Sequence, residues 1–183
     1  MIAHTHPIRA ILFDLDGTLL DTAQDLVLAL NNLLSAHGRD PIPYAVARFS
    51  VSQGSIALTR LGFPEVIDEA EFEALRQEFL VCYEQCLCQA TCFFEGMDRL
   101  LSTLESQAIP WGIVTNKPGH LTDPLLARLD LTARSQCVVS GDTLKVKKPH
   151  PAPLLLASKT INIAPQDVLY MGDDPRDITA GNA

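Results

Sequence analysis

The sequence predicts an α/β fold, a doubly wound parallel sheet with an inserted all-helical segment. Three observations carry this. Short apolar runs ending in polar, loop-forming residues recur at 10–13, 111–114, 137–140 and 168–171. Helical periodicity of ten to fifteen residues separates the later runs, the signature of βαβ units. Residues 20–92, after the first run, carry no strand pattern.

In order along the chain, Ala10-Ile11-Leu12-Phe13 has the length and apolarity of a strand buried on both faces. It stops abruptly in Asp14-Leu15-Asp16-Gly17-Thr18. Thr22, with Asp25 three residues on, resembles a capping box; Leu26, Leu30 and Leu33 then form an apolar stripe, and Gly38 ends the helix. Shorter helical pieces follow between Pro41 and Gly62, broken by Gly54. Asp68 and Glu71 open a long helix whose stripe is Phe72, Leu75, Phe79, Cys82 and Cys86. Beyond Gly96 the pattern alternates. Met97, Leu100, Leu101 and Leu104 mark a helix, Trp111–Val114 a strand, and Leu121, Leu125 and Leu129 a helix. Cys137–Ser140 is the next strand, Leu154–Ser158 lies in the next helix, and Val168–Met171 is the last strand before a helix opening at Pro175. A sheet of this kind would continue past Ala183 with the rest of that helix and another strand, so the chain reads as lacking its C-terminal helix and strand. The expected division is a core of 1–19 and 93–183 with a helical cap of 20–92.

Composition narrows the partners. The 183 residues carry 14 Lys+Arg against 22 Asp+Glu, a net charge of −8 without a basic cluster, which argues against nucleic acid. No apolar run has the roughly 18–20 residues of a membrane span, and the N-terminus lacks a signal-peptide pattern. Five cysteines without a secretion signal read as reduced thiols of a cytoplasmic protein. Cys82 and Cys86 read as small core residues, and His4 and His6 as part of a loose terminus. The pattern leaves the oligomeric state open.

The chemistry collects at strand ends, where open α/β sheets bind ligands. Asp14 and Asp16, Thr115 and Asn116, Lys148, and Asp173, Asp174 and Asp177 follow four different strands. Carboxylates gathered this closely repel unless a cation compensates them, and oxygen ligands suit Mg2+. Asp14 and Asp16, two apart in extended chain, point to one ligand space. Asp14 can attack phosphorus, and Asp16 can protonate the leaving oxygen and then deprotonate water. Gly17 allows a turn close to the ligand, Thr115 can donate to a phosphoryl oxygen, and Lys148 offers it a compact positive charge. Asp174 before Pro175 reads as a helix cap, and Asp177 as a residue holding a metal-bound water or Lys148.

Asp14-Leu-Asp-Gly-Thr-Leu19, Val114-Thr-Asn-Lys117, Lys148-Pro-His-Pro151 and Gly172-Asp-Asp-Pro-Arg-Asp177 resemble, in order, the four motifs of the haloacid dehalogenase superfamily. The helical insert stands in the place of that family's C1 cap. Within the superfamily the sequence is similar to the phosphoglycolate phosphatase group. Phe94-Glu-Gly-Met97, Trp111–Pro118 and Gly172–Ile178 resemble, more narrowly, its N-acetylmuramic acid 6-phosphate phosphatase branch. The resemblance implies a phosphatase with Asp14 as nucleophile and Asp16 as acid/base, Thr115 and Lys148 holding phosphate, and Gly17 and Asn116 lining the substrate. It also implies Mg2+ on Asp14, the Asp16 carbonyl and Asp173. The expected substrate is a small phosphorylated metabolite, with Arg48, Ser52 and Gln53 of the insert brought towards it. The competing readings are a sugar phosphomutase with the same motifs, a receiver-like signalling module, and a phosphate-binding relic without turnover. The second acid at Asp16 and the long insert speak against the signalling module.

Overall fold

A computed structural model describes residues 7–183, so the expectation for His4 and His6 lies outside the described residues. The chain divides into two compact units, one of Met1–Leu19 and Phe93–Ala183 and one of Leu20–Cys92.

The first unit is a four-stranded parallel sheet. Its strands are β1 (Ala10–Phe13), β4 (Trp111–Val114), β5 (Val138–Val139) and β6 (Val168–Met171), in the order β5-β4-β1-β6. Ile11 lies opposite both Trp111 and Leu169, which sets the register on either side of β1. The predicted strand at 137–140 is shorter than expected. Helices α5 (Met97–Ser106), α6 (Gly119–Arg128), α7 (Ala152–Thr160) and α8 (Pro175–Asn182) connect or follow the strands. On one face Leu12, Val114 and Val139 pack with Leu154 and Ala157 of α7 and Ala180 of α8. The alternation of a strand puts Phe13 and Trp111 on the other face, in edge contact at 6.3 Å. There the Trp111 indole N–H donates to Glu105 of α5. The neighbours of β1 lie on opposite sides of it, one reached directly and one by the late return of β6. Their carboxyl ends therefore flank a topological switch point.

The second unit is helical. Its elements are α1 (Ala23–Ala36), α2 (Tyr44–Ala47), α3 (Gly54–Gly62) and α4 (Glu69–Cys86), with a 3-10 turn at Arg48–Ser50. Strands β2 (Leu20–Asp21) and β3 (Cys92–Phe93), unforeseen in the sequence, pair as a two-stranded ribbon where the chain enters and leaves this unit. Leu26, Leu30, Leu33, Leu58, Phe72, Leu75 and Phe79 form its buried interior. Asp68 caps α4 as expected, its carboxylate accepting from the Glu71 amide at 2.9 Å.

Two expectations for this unit are corrected. Thr22 makes no side-chain cap, and Asp25 is not its capping-box partner. Asp25 is 1% exposed and accepts from the amides of Gln89, Ala90 and Thr91 and the Thr91 hydroxyl, fastening the end of the unit to its first helix. Cys82 is only half-buried, because the α4 stripe continues through Tyr83 to Cys86. Cys86 is buried and accepts a hydrogen bond from Asn32, and all five cysteines are free thiols.

Candidate functional site

Asp14 follows β1, and its amide donates to the Met171 carbonyl at the end of β6. Only 9% of Asp14 is exposed, and its Oδ1 lies 2.7 Å from Lys148 Nζ. Burial pushes its carboxyl up to about 6 against the pull of Lys148, and the neighbouring Asp177 charge adds to the rise. Lys148 is itself 3% exposed and also reaches Asp177 Oδ1 at 2.7 Å. It is delivered by backbone contacts. The Asn116 amide donates to the Lys148 carbonyl at 2.9 Å and accepts from the Lys148 amide at 3.0 Å. The side chain expected to line the substrate is thus spent on holding Lys148, whose peptide bond to Pro149 is cis.

Asp16 pairs with a different cation. Lys117 Nζ donates to Asp16 Oδ1 at 2.7 Å, and the lysine side chain is 5% exposed. The two acids of the first motif are therefore held by two separate ammonium groups. Lys117 lay inside a quoted motif, but a lone lysine gives no signal of its partner 101 residues away. Thr115 is buried, and its Oγ1 accepts from the Lys117 amide at 3.1 Å, so its own proton is oriented by that bond.

Helix α8 supplies the remaining groups. Asp174 caps it through the Arg176 amide, and Asp177 returns a bond to the Asp174 amide at 3.1 Å, a reciprocal capping box. Burial opposes the Asp174 charge, yet its bonds to Arg176 outweigh this and hold the carboxyl below its usual value. Both oxygens of Asp177 are thus engaged, one by Lys148 and one by the helix start. Asp173 is exposed and accepts from the Thr18 hydroxyl at 3.1 Å. Gly17 makes room for it. With φ of +87° and a Cβ that would lie 2.4 Å from Asp173 Oδ2, any side chain at position 17 would displace that carboxylate.

Among the described residues, Asp14, Asp173 and Asp177 bring ligand oxygens within 4.8 Å of one another. An all-oxygen donor set, one acid raised by burial, and a glycine that keeps a carboxylate in place fit a hard divalent cation such as Mg2+. The sequence placed Mg2+ on Asp14, the Asp16 carbonyl and Asp173; Asp177 lies in the cluster too, with its oxygens engaged by Lys148 and the Asp174 amide.

Tyr170 of β6 was not singled out in the sequence. Its hydroxyl lies 2.7 Å from Lys148 Nζ, 3.0 Å from Asp177 Oδ1 and 3.1 Å from the Val114 carbonyl. Burial, with Asp14 and Asp177 nearby, raises its phenol, which stays protonated. An aromatic in a buried strand reads as core, so nothing in the sequence marked it. Arg48, Ser52 and Gln53 lie in the helical unit, Arg48 with its guanidinium 6.0 Å from the Tyr44 ring and Gln53 exposed before α3.

The family model of haloacid dehalogenase-like hydrolases matches residues 11–183. A phosphoglycolate phosphatase of Xylella fastidiosa is 43% identical over 175 residues, covering 96% of this chain and 76% of the relative. An N-acetylmuramic acid 6-phosphate phosphatase of Pseudomonas putida is 41% identical over 174 residues, covering 95% of this chain and 78% of the relative. The crystal structure of a predicted phosphoglycolate phosphatase from Haemophilus somnus superposes with a TM-score of 0.83 at 26% identity, covering 96% of this chain and 81% of that one. No helix among the described residues is long and apolar enough to cross a membrane. With the family match running from the first strand to Ala183 and acids following β1 and β6, the chain belongs to the haloacid dehalogenase-like hydrolase family.

Proposed function

We propose that the chain is a Mg2+-dependent phosphatase of small phosphorylated metabolites, working through an aspartyl-phosphate on Asp14. The observation that carries this reading is the Asp14 carboxylate, buried at a strand end and fixed through one oxygen by Lys148, with Asp173 close by. That arrangement supports attack on phosphorus by the second Asp14 oxygen. Asp16, held apart by Lys117, supports the proton transfers: it gives a proton to the leaving oxygen and then takes one from the water that cleaves the acyl phosphate. The bond from Asp14 to phosphorus forms as the ester bond breaks. Water then attacks phosphorus and restores the carboxylate. Thr115 donates to a phosphoryl oxygen, and Lys148 supplies positive charge beside it, its N–H towards Asp14 turning to a phosphoryl oxygen once the acyl phosphate forms. Asp14, the Asp16 carbonyl and Asp173 would hold Mg2+, which supplies positive charge to the phosphoryl group when bound.

Phosphoglycolate and N-acetylmuramic acid 6-phosphate are the proposed substrates, on the strength of the Xylella and Pseudomonas relatives. We assign the helical Leu20–Cys92 unit the role of cap, with Arg48, Ser52 and Gln53 acting on the leaving group, and free thiols fit a cytoplasmic enzyme. The test is phosphate release from a panel of phosphorylated metabolites that includes both, with and without Mg2+. Mg2+-dependent release supports the reading, isomerised sugar phosphate without release favours a mutase, and no turnover of any compound refutes it.

A further inference from the structure

We infer that Tyr170 is a positioning residue for phosphoryl transfer, its hydroxyl completing a three-oxygen seat that fixes the Lys148 ammonium and, through it, the Asp14 carboxylate. The inference rests on the phosphatase reading of the same site. A lysine ammonium has three protons, and three oxygens lie at 2.7 Å from Lys148 Nζ: Asp14 Oδ1, Asp177 Oδ1 and the Tyr170 hydroxyl. The direction of every N–H bond is therefore set. The phenol oxygen is itself anchored, because its single proton can go only to Asp177 Oδ1 at 3.0 Å or the Val114 carbonyl at 3.1 Å. Val114 ends β4 and Tyr170 lies in β6, so the hydroxyl ties together the two strands that flank β1 and Asp14.

The three acceptors differ in how they behave during turnover. Asp14 loses its negative charge when it becomes an acyl phosphate and is then a weaker acceptor. Asp177 and Tyr170 are unchanged by the reaction and keep Lys148 in place. Asp177 partly neutralises the ammonium, whereas the phenol directs it without cancelling its charge. The hydroxyl should therefore matter for orientation in the transition state more than for the attraction of phosphate. Tyr170 also packs its ring against the cluster of Leu12, Val114 and Val139. Tyr170→Phe keeps that ring and removes only the oxygen.

The experiment uses the full chain, wild type and Tyr170→Phe, with two readouts. The first is Mg2+-dependent hydrolysis of p-nitrophenyl phosphate, together with Mg2+ titration by calorimetry in the absence of substrate. We expect kcat to fall roughly 10- to 100-fold with KM not raised and the Mg2+ half-saturation within about twofold of wild type. The second is the 15N-lysine ammonium NMR signal of Lys148, identified by its loss in Lys148→Met. We expect it to be protected from exchange in the wild type and broadened or lost in Tyr170→Phe. An unchanged signal, a kcat within twofold of wild type, or a fall in kcat with KM and Mg2+ half-saturation rising alongside it each overturns the positioning role. A wild type that hydrolyses none of the phosphorylated metabolites, while its Lys148 signal responds to the substitution, refutes the phosphatase reading and supports the seat.

Discussion

Asp25 in the helical unit and Asp14 in the sheet unit are both buried carboxylates, but their partners differ in kind. Asp25 accepts four hydrogen bonds, three from backbone amides and one from a hydroxyl, all within its own unit. Those donors are neutral, fixed by the chain, and satisfy both oxygens. Asp14 is held at one oxygen by a buried cation that it shares with Asp177. Desolvation wins there, and the Asp14 carboxyl is pushed up to about 6. A saturated buried acid makes a fastener, whereas one held at a single oxygen beside a lysine has the arrangement that the proposed nucleophile needs. The surface gives a third case. Arg39–Glu65, Arg60–Glu69 and Arg76–Glu73 link half-exposed side chains of the helical unit, where water screens them.

The sharpest way to break this contrast is Asp14→Asn. An amide is a poor nucleophile, and we expect phosphate release to fall by at least about 10⁴-fold, read under saturating Mg2+. Residual turnover within tenfold of wild type would remove Asp14 from the reaction. Asp16→Asn should slow turnover by about 10²–10⁴-fold through lost proton transfer, and an altered KM with intact kcat would contradict that role.

Asp25→Ala tests the other side. It strands one buried and two partly buried amides, and we expect a loss of about 2 kcal/mol or more in urea unfolding. An unfolding free energy within about 1 kcal/mol of wild type would show that water or a shifted loop satisfies those amides.

A pH series on metal-free protein sharpens the comparison further. Because burial raises the Asp14 carboxyl to about 6 from its ordinary 3.8, the folded state keeps a proton that the unfolded chain releases between those values. The stability linked to that proton is present below about pH 4 and is lost as pH rises through 6. Asn has no proton to lose, so Asp14→Asn should raise Tm relative to wild type at pH 7 and by much less at pH 4. An equal difference at both pH values would mean that Asp14 is not desolvated as described. The smallest effect belongs to the surface. Glu69→Ala, which removes an acid 85% exposed, should change stability by less than about 0.5 kcal/mol, and a larger change in urea unfolding would show that this pair is not screened.

The strands at Ala10–Phe13, Trp111–Val114 and Val168–Met171 were legible to the residue, because buried parallel strands are short apolar runs with sharp polar ends. The acids after Ala10–Phe13 and Val168–Met171, and Thr115 after Val114, were legible for the same reason, since the residues after a strand are fixed by where the strand stops. The Asp68 and Asp174 caps were legible because a cap is satisfied within three residues of chain. The Thr22–Asp25 pair had the same local spacing and failed. A capping box competes with any other set of donors, and residues 89–91 offered Asp25 three amides at once.

Sequence alone determined the order of elements, the location of the acids and the identity of the lysine in front of Pro149, all properties of neighbours along the chain. Tertiary structure alone decided who meets whom. Lys117 finds Asp16 across 101 residues, Asn116 finds the Lys148 backbone across 32, and Tyr170 reaches Val114 across 56. None of these partners has a periodicity or spacing to announce it, because each depends on two strands lying side by side with their ends level. A burial pattern fixes which face a side chain takes, but a hydrogen bond also needs its partner within about 3 Å. Only the closed sheet sets that distance.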